Sequence, residues 1–379
     1  MRLLFLAPLG AAFGEALHGV RIARALVARG HEVVWLSPQA LAPVVEGAPV
    51  AFGRIDHALP ALDAQVTAIL AKRRCDALVL VDAAAVGKVV RVFGLDPRAF
   101  TRPAVPVVAI DCWNLPAVPI AWDYGGPSEI LAPEFHAVAR AVAVPIAPPE
   151  VAGGFAALPV VEVSAAARAQ VRAELGISLE DRMIVWPTAA WQHAANHDDP
   201  VLAARAAALP ERILPALAAI DRVRVIHVGP IAFGPDDTRY RHLPQVAPER
   251  YEALIAAADL LLSVNAVATS LATAVAASVP IVLGQSAARV DDELGALPPL
   301  RAWPLGLDGV LAPTIAGNPF YDAMAIADPL APGALTAACA ALLEPAAAEA
   351  MRARQAAYRA RVAALPSGAD QVLALIARH

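Results

Sequence analysis

LLFLAPLGAAFGEALHGVRIARALVARGHEVVWL, residues Leu3 to Leu36, is the stretch that decides the fold class. It opens with an apolar strand, Leu3 to Pro8, and continues through a turn of small residues, Gly10 to Gly14. The pattern then predicts a helix over Ala16 to Arg29, ended by a glycine, and a second apolar strand at Val33 to Leu36. Two strands that are apolar on both faces and joined by a helix indicate a parallel sheet with helices on both sides.

The chain is too long for one ordinary core. Single cores rarely grow past roughly 250 residues, and this chain has 379, so two domains are expected. Strands predicted at Ala77 to Val81 and Val105 to Ile110 complete a doubly wound first domain. A stretch rich in Pro and Gly at 145–159 predicts a linker. We therefore expect an N-terminal Rossmann-like domain over 1–163, a second over 164–350, and C-terminal helices over 351–379 that pack back toward the first domain.

The second domain repeats the alternation of strand and helix. Its strands are predicted at Met183 to Trp186, Val223 to Val228, Leu260 to Val264 and Ile281 to Leu283. Ser164 is a candidate cap for the helix that precedes the first of these strands. The repetition indicates the same α/β class in both halves.

Charge and cysteine content exclude several classes of protein. The 30 Lys and Arg residues against 35 Asp and Glu residues give a formal charge of −5, and no basic cluster marks a surface for nucleic acid or anionic membrane. Cys75, Cys112 and Cys339 lie far apart and form no C-x-x-C pair, which favours neither disulfides nor zinc. We expect a cytoplasmic protein with no nucleic-acid partner.

Two apolar segments resemble targeting or membrane signals. The N-terminal run after Arg2 looks like a signal peptide, but polar and charged residues follow at once on a helical pattern. The stretch from Leu260 to Ala288 has no charged residue and exceeds the roughly 20 residues that span a bilayer. Because Asn, Thr, Ser and Pro residues interrupt it, we interpret it as strand, buried helix and strand, and expect no transmembrane segment.

Ligands in open parallel sheets bind at the carboxyl ends of the strands, so a site is expected in the turns there. Gly10, Gly14 and Gly19 do not have G-x-G-x-x-G spacing, and the second strand ends at Ser37 and Pro38 without the acidic residue that holds an NAD ribose. The sequence also contains no G-x-x-x-x-G-K-[ST] loop. Nicotinamide redox chemistry and P-loop ATP hydrolysis are disfavoured, and we expect no bound cofactor.

Two segments resemble GT-B glycosyltransferases. Ala28 to Val34, ARGHEVV, follows a strand, a small-residue loop and a helix, as at the start of the acceptor domain of that superfamily. Tyr251 to Leu283, YEALIAAADLLLSVNAVATSLATAVAASVPIVL, is similar to the donor-domain stretch that leads from an apolar strand through a turn and a helix to a Val-Pro strand. The resemblance implies two Rossmann-like doubly wound α/β domains that face each other across a cleft. It also implies metal-independent transfer of a sugar from a nucleotide sugar to an acceptor.

By this resemblance the donor is bound by turns of the second domain, at Thr188, Gly229, Val246, Asn265, Thr269, Ser270 and Thr273. The N–H groups at the start of the helix after the Leu260 strand, together with its hydroxyls, suit a diphosphate. The same hydroxyls equally suit helix capping and burial. Thr273 stands where the superfamily commonly has a ribose-binding Glu, and Ser278 where it has a glycine, so recognition of the usual uridine diphosphate sugar stays open.

An inverting transfer needs a base that takes the proton from the acceptor hydroxyl. Alignment on the ARGHEVV segment puts Glu15 where many of these enzymes have their catalytic residue, and His18 is the second candidate base. The alternatives are that Glu15 complements the helix dipole and that His18 is an exposed polar residue. The candidates for acceptor binding, or for packing between domains, are Asp111, Trp113, Trp122 and Tyr124.

Several His and Asp pairs resemble metal ligands. His193 and His197 have the spacing of a metal pair without an evident third ligand, and we interpret them as solvated loop residues. Polar or turn sequence surrounds the acidic pairs Asp198-Asp199, Asp236-Asp237 and Asp291-Asp292, which are interpreted in the same way. We assign no metal site.

Two other functions stay open. The missing Glu and glycines fit a non-catalytic relative that keeps the fold to bind a partner. The fold also supports a sugar-nucleotide 2-epimerase, which would need several carboxylates and histidines at the nucleotide sugar. The sequence does not distinguish among small-molecule, peptide and protein acceptors, among donor sugars or bases, or among oligomeric states.

Overall fold

The computed structural model describes residues 1–10, 13–45, 52–55, 58–112, 133–161, 164–189, 192–193, 200–244, 246–285, 317–329 and 331–378. The chain divides into two compact units. Unit 1 comprises Met1–Ala157 and Val362–His379, and unit 2 comprises Leu158–Arg361. The chain therefore leaves unit 1 after Ala157 and returns to it at Val362.

Among the described residues, unit 1 holds seven strands. They are β1 (Arg2–Leu6), β2 (Glu32–Leu36), β3 (Phe52–Ile55), β4 (Ala77–Leu80), β5 (Val107–Asp111), β6 (Ala139–Val144) and β7 (Gly154–Ala156). Their order across the sheet is β3-β2-β1-β4-β5-β6-β7, and all neighbours are parallel. The order reverses between β1 and β4, as in a doubly wound sheet. The helices of its first part are α1 (Phe13–Ala28), α2 (Ala42–Val45), α3 (Leu62–Arg73), α4 (Ala83–Phe93) and α5 (Arg98–Thr101).

In the part of the chain that the structure describes, unit 2 holds six parallel strands. They are β8 (Arg182–Pro187), β9 (Val223–Val228), β10 (Tyr240–Leu243), β11 (Leu260–Ser263), β12 (Ile281–Gly284) and β13 (Ala325–Ala327), in the order β10-β9-β8-β11-β12-β13. Its helices are α6 (Ala165–Glu174), α7 (Pro200–Ala218), α8 (Pro248–Ala257), α9 (Thr269–Ala276), α10 (Ala334–Leu342) and α11 (Pro345–Val362). The last helix, α12 (Gly368–Ile376), belongs to unit 1.

The predicted two-domain α/β fold is confirmed. The opening strand is β1, buried in the middle of its sheet between β2 and β4. The apolar stretch that begins at Leu260 forms β11, α9 and β12, as interpreted. Ser164 caps α6, because its Oγ accepts a hydrogen bond from Ala167 N at 3.1 Å.

The unit boundaries differ from those expected from the sequence. The stretch 145–159, predicted to be a linker, contains β7, whose backbone pairs with β6. Pairing satisfies backbone groups that would otherwise need water, and this outweighs the Pro and Gly content of the stretch. Unit 1 therefore extends to Ala157 without a break, and its C-terminal part begins at Val362 rather than at residue 351.

Helix α1 is covered over more of its surface than its own pattern indicates. It packs against β2, α2 and α12. Gly19 permits the close approach, since a Cβ there would lie 2.6 Å from Val81 Cγ1 and 2.9 Å from Trp35 Cη2. As a result the polar face is narrower than predicted. His18, expected on the exposed side, is buried, with 5% of its surface exposed.

A partly buried ion-pair network joins α6 to the start of β8 and β11. Arg172 donates to Asp259 Oδ2 at 3.1 Å and to the Ser178 carbonyl at 2.8 Å. Asp259 also accepts from Met183 N at 2.7 Å and pairs with Arg168. Arg172 is buried, whereas Arg168 and Asp259 are partly exposed, so loss of Asp259 would leave the Arg172 charge buried without its acidic partner. The network therefore joins α6 to two neighbouring strands of the unit 2 sheet.

The last two helices contact different units. In unit 2, α11 holds the C-terminal end of α9, because Arg359 Nη1 donates to the Val275 carbonyl at 2.7 Å. In unit 1, the start of α12 packs on α1, where Arg29 Nη1 pairs with Asp370 Oδ1 at 2.6 Å. Helix α11 thus packs within unit 2, whereas α12 packs within unit 1.

No single helix among the described residues combines the length and apolar character needed to cross a membrane. Helices α10 and α11, bent by 83° relative to each other, meet the length and composition criteria only as a pair. Leu335, Cys339 and Met351 of this pair are buried in the core of unit 2.

Replacing Gly368 by Ala tests the docking of α12 on α1. The added Cβ would lie 2.6 Å from Ile22 Cγ1 and 3.0 Å from Phe155 Cδ2. Overpacking of this kind costs about 1–3 kcal/mol, so we expect the free energy of unfolding, measured in urea, to fall by that amount. Gly234→Ala adds the same methyl group in open space and should change the value by less than about 0.5 kcal/mol. Equal stability of the two variants would contradict the docking.

Candidate active site

Three carboxyl groups and a thiol meet at the carboxyl edge of the unit 1 sheet. Asp82 follows the end of β4, Asp111 ends β5 with Cys112 next to it, and Glu15 lies in the first turn of α1, which follows β1. Strands β1, β4 and β5 are neighbours, so their carboxyl ends bring these residues to one place. Their charges interact, since Glu15 and Asp111 both contribute to raising the pKa of Asp82.

Asp82 is the N-cap of α4. Its Oδ1 accepts hydrogen bonds from Ala84 N at 2.9 Å and Ala85 N at 3.2 Å, which favours the ionised form. Burial acts in the opposite sense and is the larger effect. Together with the negative charge of Glu15, burial raises the pKa of Asp82 to about 8. At neutral pH Asp82 therefore holds a proton most of the time.

Glu15 is partly buried in the first turn of α1. Burial raises its pKa as well. A carboxylate of raised pKa is a stronger base than an ordinary one, because proton affinity follows pKa. Burial, with the charges of Asp82 and Glu15 adding to it, also raises the pKa of Cys112 well above its ordinary range, so this thiol stays protonated and unreactive.

His18, the second candidate base, lies one turn further along α1. Burial, with a smaller contribution from the charge of Arg21, lowers the pKa of His18 to about 3. A ring with so low a pKa stays neutral and has little affinity for a proton at neutral pH. Between the two predicted bases, the electrostatics favour Glu15.

Of the residues predicted to bind the acceptor, the structure describes Asp111. Its side chain is buried, and its Oδ2 lies 3.9 Å from Arg140 Nη1 on β6. Trp113, Trp122 and Tyr124 lie outside the described residues. Of the four candidates for acceptor binding, Asp111 is thus the one that the described residues include.

In unit 2, the turn between β11 and α9 is held by its own hydrogen bonds. Asn265 Oδ1 accepts from Val267 N at 3.0 Å, and Ser263 Oγ donates to the Asn265 carbonyl at 3.1 Å. The phenol of Tyr321 donates to the Ala266 carbonyl at 2.9 Å. The predicted donor residue Asn265 thus shapes the turn, and its side-chain oxygen is engaged there.

No side chain caps the N-terminus of α9, where Ala268 is the N-cap. Thr269 is partly exposed, whereas Ser270 and Thr273 are each 2% exposed. The Thr273 hydroxyl donates to the Thr269 carbonyl at 3.2 Å and is therefore committed to its own helix. Of the three hydroxyls predicted to meet the donor at this helix, that of Thr269 is the accessible one.

Thr188 and Gly229 lie side by side after β8 and β9. A Cβ at Gly229 would lie 2.1 Å from Thr188 Oγ1, so the space accepts only a glycine. The Gly229 N–H donates to the Leu243 carbonyl at 3.1 Å, and the Gly229 carbonyl accepts from His242 Nε2 at 2.8 Å. Both backbone polar groups of Gly229 are thus hydrogen-bonded within unit 2. The missing side chain of Gly229 leaves space for the Thr188 hydroxyl. Val246, partly buried, precedes α8.

Two histidines bond to the Thr188 hydroxyl. His193 Nε2 lies 2.9 Å and His227 Nε2 2.8 Å from Thr188 Oγ1. The prediction that His193 is a solvated loop residue is wrong, because it is 3% exposed. The ring of Phe233 stacks on both histidines, with centroids 5.0 Å from His193 and 4.4 Å from His227. His197 lies outside the described residues.

Within the described residues, no group of three or more His, Cys, Asp or Glu side chains is arranged to hold a metal ion. Asp236 Oδ1 accepts from His242 N at 2.8 Å, and Asp237 Oδ1 accepts from Tyr240 N at 2.7 Å. These two carboxylates therefore stabilise the turn into β10. The pairs Asp198-Asp199 and Asp291-Asp292 are outside the described residues.

The sequence indicated Asp82 and His227 only weakly. Asp82 was recognised as the end of a strand, and its signal as a site residue is an acidic N-cap directly at the carboxyl end of a buried strand. His227 sits inside the apolar run of β9. A histidine in such a run signals a hydrogen-bonded partner in the core, since buried polar groups are nearly always paired.

Residues 22–295 and 284–379 match the model of a family described as "Family of unknown function (DUF6365)". No curated protein matches the chain in sequence.

Solved structures share the fold over the whole chain. The glycosyltransferase VinC, in complex with dTDP, has a TM-score of 0.59 and 14% identity, with 100% of each chain covered. The spinosyn rhamnosyltransferase SpnG, complexed with thymidine diphosphate, has a TM-score of 0.55 and 17% identity over 99% of this chain and 100% of SpnG. A putative UDP-N-acetylglucosamine 2-epimerase from Listeria monocytogenes has a TM-score of 0.53 and 10% identity over 97% of this chain and 91% of its own. The chain has the two-domain fold of GT-B glycosyltransferases.

Replacing Asp82 by Asn tests the proton held at the carboxyl edge of unit 1. The folded wild type keeps the Asp82 proton up to about pH 8. In the unfolded chain this carboxyl group loses its proton at about pH 3.9. The free energy of unfolding of the wild type therefore falls as the pH rises between these values. Asn keeps a cap acceptor but does not titrate. We expect the Tm of D82N, relative to wild type, to rise steadily from about pH 6 to about pH 8.

The matched control is Asp63→Asn. The pKa of Asp63 is lowered, mainly by the hydrogen bond from the Asp96 backbone. Its effect on stability is therefore complete well below neutral pH, and its Tm difference from wild type should stay flat over the same range. Parallel curves for D82N and wild type would show that Asp82 is ionised throughout.

Proposed function

We propose that this chain, which belongs to the DUF6365 family, is a glycosyltransferase that moves a sugar from a nucleotide sugar to an acceptor hydroxyl. The observation that carries the proposal is the pair of carboxyl groups with raised pKa, Glu15 and Asp82, at the carboxyl edge of unit 1. Transfer to a hydroxyl requires a base, and a carboxylate of raised pKa at a strand end is suited to that step.

Glu15 is the proposed base. Its carboxylate takes the proton of the acceptor hydroxyl while that oxygen forms a bond to the anomeric carbon of the donor sugar. The bond between this carbon and the diphosphate breaks, and the diphosphate leaves with the electron pair. Because Asp82 is protonated at neutral pH, the cluster carries one negative charge fewer, which allows Glu15 to ionise.

The donor is proposed to bind at the carboxyl edge of unit 2. The uncapped start of α9 offers N–H groups and the positive end of a helix dipole to a diphosphate, and the accessible Thr269 hydroxyl adds a donor. VinC and SpnG, which share the fold, bind thymidine diphosphate. Thymidine diphosphate sugars are therefore the first donors to test. Thr188 and Val246, after other strands of the same sheet, are proposed to meet the nucleoside or sugar.

Recognition of the donor ribose differs from the superfamily pattern in this proposal. The buried Thr273 hydroxyl, bonded to Thr269, does not replace the usual Glu. Ser270 is also buried and is not proposed to contact the donor. Asn265 acts through the shape of its turn.

The proposal also covers the acceptor, the need for a metal ion or cofactor, the cellular location and the partners. The acceptor is a small molecule held near Asp111, with Trp113, Trp122 and Tyr124 as its aromatic contacts. Transfer needs neither a metal ion nor a bound cofactor, because the helix dipole and N–H groups take the charge of the leaving diphosphate. The protein acts in the cytoplasm, without a nucleic-acid partner.

The test begins with binding. Thymidine diphosphate, uridine diphosphate and their glucose conjugates are titrated into the full chain by calorimetry. We expect the chain to bind the diphosphate of one of the two nucleosides. When a panel of hydroxyl compounds is added, we expect the corresponding nucleotide sugar to be consumed and its nucleoside diphosphate to be released. If none of the nucleotides binds, the result would favour a non-catalytic protein that keeps the fold to bind a partner. Conversion of the nucleotide sugar without an acceptor would favour an epimerase.

Glu15→Gln then tests the base. The amide keeps the size of the side chain but does not accept a proton, so we expect the transfer rate to fall by at least about 100-fold while nucleotide affinity changes by less than about 2-fold. Glu32→Gln, which changes an exposed Glu paired with Arg2 in the same unit, should keep the wild-type rate. Full activity of E15Q would remove Glu15 from the mechanism.

A further inference from the structure

A chain of hydrogen bonds crosses three neighbouring strands of unit 2. Tyr240 Oη, on β10, lies 2.8 Å from His227 Nδ1, on β9. His227 Nε2 lies 2.8 Å from Thr188 Oγ1, which follows β8, and Thr188 Oγ1 lies 2.9 Å from His193 Nε2. Each link has the distance of a good hydrogen bond.

The phenol end of the chain fixes the direction of these hydrogen bonds. Phe233 N donates to Tyr240 Oη at 3.0 Å. Because a backbone N–H can only donate, Tyr240 Oη is the acceptor of this bond. Burial raises the pKa of Tyr240, so the phenol keeps its proton. Among the described residues, His227 Nδ1 is the acceptor within reach of that proton. His227 Nδ1 is therefore the bare nitrogen of its ring.

The remaining links follow from the tautomer of His227. Burial lowers the pKa of His227 to about 3 and lowers the pKa of His193, so both rings are neutral. A neutral ring with bare Nδ1 carries its proton on Nε2, and His227 donates to Thr188 Oγ1. The arrangement that uses the Thr188 proton within the chain has the Thr188 hydroxyl donating to His193 Nε2. In this arrangement protons are donated in one direction, from Tyr240 to His227, from His227 to Thr188 and from Thr188 to His193.

Thr188 is the accessible member of this chain. It is partly exposed, whereas His193 and His227 are buried. Its hydroxyl has one proton and two lone pairs, of which the proton and one lone pair are used by the histidines. One lone pair is left for a ligand. Thr188 therefore offers a ligand an acceptor and no donor.

We propose that Thr188 is a specificity-determining residue that accepts a hydrogen bond from a hydroxyl or N–H group of the donor, and that it does not bind a phosphate oxygen. Tyr240 and His227 are positioning residues, because they act on the ligand through Thr188. The ligand part of this inference rests on the proposed function, since it takes unit 2 as the donor-binding unit. A phosphate oxygen is itself an acceptor, so two lone pairs would face each other at this position.

The direction of the chain is tested by NMR without any ligand. Long-range ¹⁵N–¹H spectra of the full chain labelled in histidine distinguish the two neutral tautomers, and His193→Gln and His227→Gln assign the signals. We expect the proton on Nε2 in His227 and on Nδ1 in His193. His242, which donates from Nε2 to the Gly229 carbonyl, is the internal reference. A proton on Nδ1 of His227 would overturn the inference.

Tyr240→Phe examines the positioning role. Without the phenol proton, His227 Nδ1 loses its donor, and the ring is free to take the other tautomer. We expect the His227 signals to show both tautomers, while those of His242 stay unchanged. An unaltered His227 tautomer in this variant would show that Tyr240 does not set the direction.

The ligand part is tested with two probes, thymidine diphosphate glucose and pyrophosphate, by calorimetry near pH 8. Pyrophosphate has no hydroxyl or N–H group to donate. In Thr188→Val we expect the Kd of thymidine diphosphate glucose to rise about 3- to 10-fold, the range for one hydrogen bond, and the Kd of pyrophosphate to stay the same. Equal weakening of both probes would assign Thr188 to phosphate and overturn the proposal.

Two control variants accompany this experiment. Thr188→Ser keeps the hydroxyl and should restore the affinity for thymidine diphosphate glucose. Thr336→Val removes a hydroxyl that donates to the Ala216 carbonyl elsewhere in unit 2 and should leave both Kd values unchanged. If wild type binds neither probe, the proposed function and the ligand part fail together. The tautomers then still decide whether the chain has the stated direction.

Discussion

Parallel hydrogen bonding of β1 to β2 on one side and to β4 on the other is the constraint on which unit 1 depends. Parallel neighbours cannot be joined by a tight turn, so each needs a crossover, and the crossover helices begin at the edge where the strands end. Strands covered on both faces are apolar, which confines polar side chains to that edge. The same constraint holds in unit 2. Both candidate sites therefore lie just beyond strand ends, in loops and first helical turns.

The two edges accommodate buried polar groups in opposite ways. In unit 1, the cost of removing the carboxyl groups from water exceeds what their hydrogen bonds return. Their protonated form is therefore favoured, as the raised pKa of Asp82 shows. In unit 2, neutral groups satisfy each other, with Thr188 between two histidines. The first arrangement provides proton affinity, which base catalysis uses. The second provides a fixed pattern of donors and acceptors, which recognition uses.

The fold does not by itself select the reaction, since a glycosyltransferase and a putative epimerase both share it with this chain. Individual groups have to discriminate. An epimerase acts on the sugar of the nucleotide sugar and would need its acids and bases close to the donor. Here the titratable carboxyl groups with raised pKa belong to unit 1, whereas the uncapped helix start suited to a diphosphate belongs to unit 2. The proposed base and the proposed diphosphate site thus belong to different units, which fits the proposed transfer.

The hydrophobic pattern of the sequence determined the α/β class, the two-unit organisation and most of the inner strands, because a strand buried on both faces must be apolar whatever lies beside it. Glu15 was indicated by the resemblance of the ARGHEVV segment to GT-B glycosyltransferases, and its place shortly after β1 puts it at the carboxyl edge of a parallel sheet. The pattern did not predict five of the described strands, β3, β6, β7, β10 and β13. Of these, β7 is short and rich in small residues, and β10 is largely polar. Only the tertiary structure decided that His18 is buried, that Asp82 holds a proton and that Thr188 has its hydroxyl committed to two histidines. Each of these depends on residues from different strands or helices, and through-space distances set both hydrogen bonds and the cost of burying a charge.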